Sequence, residues 1–168
     1  MTTRSSPRIS RRITSAAAFF LLTASCLQHA RANTEWPTLP SLLELDTDYG
    51  HLNVKNSEYI YDSQLLWDGL ELDPNLRGLL NITYAFKLPQ SVAVLVSIND
   101  GSSVCPIHFR WVILKKEDAT ISPEFGSCSD RIKVSATLRT LTLHTPNPTK
   151  PDKIDVYVYD GKKITQMK

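Results

Sequence analysis

Glycine is scarce in this chain, with six in 168 residues, and none of them forms a glycine-rich run. A phosphate-cradling loop needs glycines so that backbone amides can close on the anion, and that chemistry is therefore excluded. Cysteine is scarcer still, at three, and no two stand in C-x-x-C spacing. A structural zinc site would need further ligands, but the histidines beyond the leader (His51, His108, His144) form no spaced cluster. There is no G-x-S-x-G, the signature of a serine at a strand-to-helix elbow. Nor is any apolar run long enough to cross a bilayer as a helix. No ten-residue stretch after residue 32 carries the three-to-four spacing of an amphipathic helix.

Acidic residues are absent from the first 32 positions, and that absence is informative. Arg4, Arg8, Arg11 and Arg12 form a basic leader, Ala16 to Ala24 a short apolar run, and Ala30-Arg31-Ala32 a small-residue cleavage pattern. These three parts in this order predict a secretory signal peptide over 1–32, cleaved near Ala32. Ser10-Arg11-Arg12 touches on a twin-arginine signal, but Thr14 and Ser15 stand where large apolar residues belong, and the route of export stays open. Cys26 after Leu-Thr-Ala-Ser half matches a lipoprotein box, so a lipid anchor there is the competing fate. The expected compartment is the periplasm or the exterior.

Removing 1–32 takes away five of nineteen bases and none of seventeen acids, leaving fourteen against seventeen, a net charge of −3. The basic balance of the whole chain thus belongs to its leader and gives no argument for nucleic-acid binding. Residues 33–75 hold nine acids against Lys55 alone, whereas 76–168 hold thirteen bases against eight acids. Either the two halves neutralise each other across one surface, or the first half offers an acidic face to a cationic protein partner.

The rest reads as strands. Two prolines among Trp36 to Pro40 predict an extended arm over 33–40, with Trp36 tucked against the body. A single β domain over 41–168 follows. Leu52 and Val54 alternate with polar neighbours, and Tyr59 to Leu66 is a strand candidate. Trp67-Asp68-Gly69 and Tyr159-Asp160-Gly161 are tight-turn signals, since Asp-Gly accepts positive φ. Leu80, Ile82, Tyr84, Phe86 and Leu88 fall on one face of a strand, and Ser91 to Ile98 is apolar on both faces, as in a central strand. Ile107, Phe109, Trp111 and Ile113 face inward from the next strand. Residues 132–144 change phase near Leu138-Arg139 and read as a hairpin. Three prolines between Thr145 and Asp152 make a stiff loop before a last hairpin. The expected fold is all-β, an antiparallel β-sandwich or open barrel of eight to ten strands with one disulfide. Its buried face should include Ile82, Tyr84, Phe86, Val94, Val96, Phe109, Trp111, Val134 and Val156.

Cys105 and Cys128 are an even pair bound for an oxidising compartment, which predicts a structural disulfide. Around them, Ser102, Ser103, Ser127 and Ser129 with His108 and Asp130 can be arranged as a nucleophile and base on paper, yet turn serines are mostly turn formers. Asp46 with Asp48, and Glu124 with Asp130, read as solvated loop acids rather than a catalytic pair, and the D-T-D-Y-G stretch lacks the rest of a calcium loop. No catalytic residue, metal ligand or cofactor is assigned. The candidate binding surface comprises His108, Arg110, Glu124 and Phe125, together with Tyr157 and Tyr159 as exposed sheet tyrosines.

The segments V-L-V-S-I-N-D-G-S-S-V-C-P (94–106), F-R-W-V (109–112), S-P-E-F-G-S-C-S-D (122–130) and V-Y-V-Y-D-G-K-K-I (156–164) resemble a group of small, mostly uncharacterised exported proteins of Gram-negative bacteria. That resemblance implies export, a paired disulfide and an all-β fold, and brings no catalytic residues. The functional expectation is an exported non-catalytic binding protein, such as an inhibitor or immunity protein blocking a partner enzyme or toxin. The alternatives are an envelope-associated structural module lipidated at Cys26, and a hydrolase of unrecognised type.

Overall fold

The computed structural model describes residues 35–150 and 152–167. The leader, its cleavage pattern and Cys26 lie outside these residues. The described chain is all-β and antiparallel, with twelve strands in three four-stranded sheets. The first sheet runs β1 (Glu44–Thr47), β2 (Gly50–Lys55), β3 (Gln64–Trp67) and β4 (Leu70–Glu71). The second runs β5 (Leu79–Leu88), β6 (Ser91–Asn99), β7 (His108–Leu114) and β8 (Ala119–Ile121). The third is ordered β12 (Ile164–Met167), β11 (Ile154–Tyr159), β10 (Leu141–Pro146) and β9 (Lys133–Ala136). Among the described residues no helix is long and apolar enough to cross a membrane.

The central strand β6 explains the layering. Successive side chains of a strand point to opposite faces, and β6 is buried from Ser91 to Ile98 on both. Val92, Val94, Val96 and Ile98 enter a core with Leu52, Val54 and Leu65 of the first sheet. Ala93 and Leu95 enter another with Leu141, Leu143 and Tyr159 of the third. β7 repeats the division, with Val112 and Leu114 on the first side and Phe109 and Trp111 on the second. The second sheet is thus covered on both faces, and the antiparallel all-β fold has twelve strands where a sandwich or open barrel of eight to ten was expected.

Three strand assignments are corrected by the structure. First, the β5 pairing with β6 slips between Ile82 and Tyr84. Ile82 stands opposite Val96, while Tyr84 stands opposite Leu95, leaving Thr83 as the extra residue of a β-bulge. Leu80 and Ile82 therefore enter the first core, and Tyr84, Phe86 and Leu88 pack against the other. The five do not share one face. Thr83 is buried and donates its hydroxyl to the Leu95 carbonyl at 2.9 Å, which satisfies the distorted backbone. Second, Tyr59 to Asp62 is a loop, closed by the Asp62 amide donating to the Tyr59 carbonyl at 3.1 Å, and β3 starts only at Gln64. Third, β11 faces the other way from expectation. Tyr157 and Tyr159 stand opposite Leu143 and Leu141 in the core, and Val156 is opposite His144 on the outer face.

Other expectations hold. At the β3–β4 turn Asp68 has φ 50° and Gly69 φ 81°, the two positive values that a type I′ hairpin requires. β9 and β10 form a hairpin through Thr137 to Thr140, joined by an amide-to-carbonyl bond of 2.8 Å. Trp36 folds back so that the Lys133 ammonium lies 5.3 Å from its ring centroid, and Leu39 packs on the second core.

Candidate functional site

The stretch between Cys105 and Cys128 is built from β7 outward. The two cysteines form a disulfide with their Cα atoms 4.6 Å apart. It ties the loop before β7 to the loop before β9. The same loop is also bound by backbone: Phe109 and Phe125 exchange both amide bonds, at 2.8 and 3.0 Å. Ser122 supports it further, accepting the Trp111 amide at 2.9 Å on its hydroxyl and donating its own amide to the Trp111 carbonyl at 2.8 Å. Ser127 fastens the far end to the third sheet, with its buried hydroxyl 2.7 Å from Thr145 Oγ1 and 2.8 Å from the Pro146 carbonyl. Gly126 has φ +127°, and a Cβ there would sit 3.0 Å from the Phe109 ring, so the close approach requires glycine.

Beside this loop lies a cluster of charges. Arg110 places its guanidinium 3.4 Å from Glu124 and 3.7 Å from Asp73, joining the second sheet to the loops at either side. His108 Nδ1 is 3.4 Å from the other oxygen of Glu124 and 3.6 Å from the sulfur of Cys105. The Arg110 Nε is buried and has no hydrogen-bond partner. The guanidinium fork is already divided between two carboxylates, so the cluster cross-links elements rather than presenting a free cation.

His108, Arg110 and Glu124 are thus brought together as one group. Phe125, Tyr157 and Tyr159 are not part of it, which corrects the expected binding surface. Phe125 is 7% exposed and Tyr159 2%, and both belong to the second core. Tyr157 is half-buried, stacks near Phe125 at 5.8 Å between centroids, and donates its hydroxyl to the Gly126 carbonyl at 3.1 Å. Burial raises the phenol pKa of both tyrosines above the usual value, with Asp155 and Asp160 adding to it respectively. The alternation of tyrosine and valine in β11 does not say which set faces in; the pairing with β10 puts the tyrosines beside Leu141 and Leu143.

The serines near the cysteines serve turns. Ser102 Oγ accepts the amides of Val104 and Cys105, each at 3.3 Å, and Ser129 Oγ accepts that of Arg131 at 3.1 Å. Asp46 is 2.8 Å from His51 Nδ1, and Asp48 pairs with Lys87. Among the described residues no group of three or more His, Cys, Asp or Glu could hold a metal ion.

The surface that sequence reasoning missed lies in the loop 56–62. Tyr59 is 74% exposed, Ile60 68% and Tyr61 49%. Tyr-Ile-Tyr has strong strand propensity, which is why it reads as part of β3. Ser57 at its start was the available signal, since its hydroxyl accepts the Tyr59 amide at 3.3 Å and turns the chain. The Tyr61 ring packs against Gly101, where a Cβ would come within 2.8 Å of it. That contact fixes the loop on the neighbouring Asn99–Ser103 turn. Acids lie on both segments, Glu58 on one and Asp100 on the other. No protein-family model, curated protein or solved structure matches this chain.

Proposed function

We propose that this is an exported, non-catalytic binding protein, of the inhibitor or immunity kind, which covers a functional surface of a partner protein. The observation that carries the reading is the exposed Tyr59-Ile60-Tyr61 tip on a rigid three-sheet frame. Clustered exposed aromatics are costly to leave in water and are the residue types that dominate protein interfaces. The frame supports the tip through Gly101 and through Arg77, which is 3.2 Å from Asp62 and also pairs with Glu71.

The charge reading is narrower than the sequence suggests. Arg77, Lys87 and Arg110 from the later half neutralise Asp62, Glu71, Asp48 and Asp73 from the first. Glu58 and Asp100, beside the aromatic tip, remain without an ion pair among the described residues. A partner with an apolar pocket and a modest basic rim fits this pattern. The disulfide agrees with a periplasmic or secreted setting.

The test compares wild type with Tyr59→Ser/Ile60→Ser/Tyr61→Ser as bait in periplasmic extract, at low and high salt. A partner retained by wild type should be lost by the triple variant, with affinity falling at least about tenfold. Its stability should shift little, because the tip is exposed. A partner held equally by both baits would sink the reading.

A further inference from the structure

At the end of the molecule away from the disulfide, a cleft of about 420 Å³ opens between the second and third sheets. Its size falls within the range of small-ligand pockets. The lining is mixed: Leu88 closes β5 and Ile113 comes from β7, both half-buried, Leu141 and Tyr159 of the third sheet form a buried floor, and Ser91 and Thr120 add hydroxyls. Two cations stand at the rim, Lys115 and Arg139, both exposed. Neither has an ion-pair partner among the described residues.

The one carboxylate in the lining, Asp160, is held by one oxygen within its own turn. Its Oδ1 accepts the amides of Lys162 and Lys163, each at 2.9 Å, inside its own turn. The rim turn is equally fixed. Thr137 and Thr140 join hydroxyls at 2.9 Å, and Thr137 Oγ1 accepts the Arg139 amide at 3.2 Å. This rigid turn holds Leu138 79% exposed, beside Arg139.

We propose that this cleft binds a free medium-chain aliphatic carboxylate, with its tail along Leu88, Ile113 and Leu138 and its head at Arg139 and Lys115. A bidentate guanidinium and an ammonium match a single carboxylate. Leu88, Ile113 and Leu138 give a hydrocarbon chain its apolar contacts. The site is independent of the aromatic tip, which occupies another loop.

The probe set is octanoate, octylammonium and octanol, followed by amide NMR titration of the full folded domain. Octanoate should shift the amides of Ile113, Arg139, Leu141 and Gly161 saturably. It should bind about tenfold more tightly than octylammonium, the factor that roughly 1.4 kcal/mol of head-group contact supplies. Lys115→Glu/Arg139→Glu should reverse that order, since both positions are exposed and their replacement leaves the fold intact. Thr120→Trp, also exposed on the lining, should block octanoate while keeping a dispersed spectrum. Equal binding of octanoate and octylammonium, shifts centred elsewhere, or no saturable shift would each overturn the proposal.

Discussion

The two faces of the second sheet are filled by different chemistry. Toward the first sheet the fully buried hydrophobic side chains are Leu, Val and Ile, such as Leu52, Leu65, Val94 and Val112, with Tyr49 and Trp67 partly buried against them. Toward the third sheet Phe109, Trp111, Phe125 and Tyr159 join Ala93, Leu95, Ile132, Leu141 and Leu143. The aliphatic core is closed at its margins by ion pairs, as at Arg77 with Asp62 and Lys87 with Asp48. The aromatic core is closed by neutral hydrogen bonds, by a glycine under a ring, and by the disulfide. Branched aliphatic side chains fill the space between twisted sheets, with Leu76 from the β4–β5 loop added to those of the strands. Large rings leave irregular gaps that loop side chains likewise help to fill. Phe125 from a loop and Leu39 from the N-terminal arm do this here.

The sharpest way to break this comparison is to empty each core separately. Trp111→Ala should cost about 3–5 kcal/mol and Leu52→Ala about 2–5 kcal/mol. Both cores share β6, so urea unfolding of either variant should remain one cooperative transition at a lower midpoint. Separate transitions in Trp111→Ala would show that the aromatic layer is an independent unit, and the shared-strand account would fail.

The disulfide should sharpen the difference rather than lower both cores alike. Replacing Cys105 and Cys128 by alanine opens a loop closed over 23 residues and should cost about 3 kcal/mol. The loss should be read by amide exchange. Protection should fall first in Phe125 to Ser127 and in β10, where Ser127 holds Thr145, while β2 and β3 keep theirs. Equal loss in β2 would show that the bond serves the whole frame.

How much of this was legible follows the same division. The both-face burial of β6, the Asp-Gly turns, the β9–β10 hairpin and the cysteine pair are all written in local patterns. The layering was half legible: a strand apolar on both faces needs a sheet on each side, but no residue announces that a third sheet supplies one of them. The bulge at Thr83 was not legible, because Leu80 to Leu88 alternates without a break in sequence while its pairing with β6 slips. Only the partner strand determines that Ile82 and Tyr84 part company. The facing of β11 was undetermined for a related reason, since valine and tyrosine both suit a half-buried strand. At the site, His108, Arg110 and Glu124 could be grouped from the disulfide's reach, whereas Tyr59 to Tyr61 was hidden by its own strand propensity.

The smallest expected effect is at the far end of the aromatic layer, in the β11–β12 turn. The amides of Lys163 and Lys162 donate to Asp160 and hold its carboxyl below the ordinary value of 3.8. A carboxyl with a depressed folded pKa adds stability above its unfolded pKa and loses it as pH falls through the folded one. Asp160→Asn keeps an oxygen that accepts those amides but removes the charge. Wild type should therefore be slightly more stable than the variant at neutral pH, and the gap should close as pH drops below 3.8. Thermal melts at neutral pH and in acid decide it: a gap that stays constant would show that the turn needs the oxygen and not the charge. In that case the aromatic layer would be sealed at both ends by neutral bonds alone, and its contrast with the ion-paired margins of the aliphatic layer would be complete.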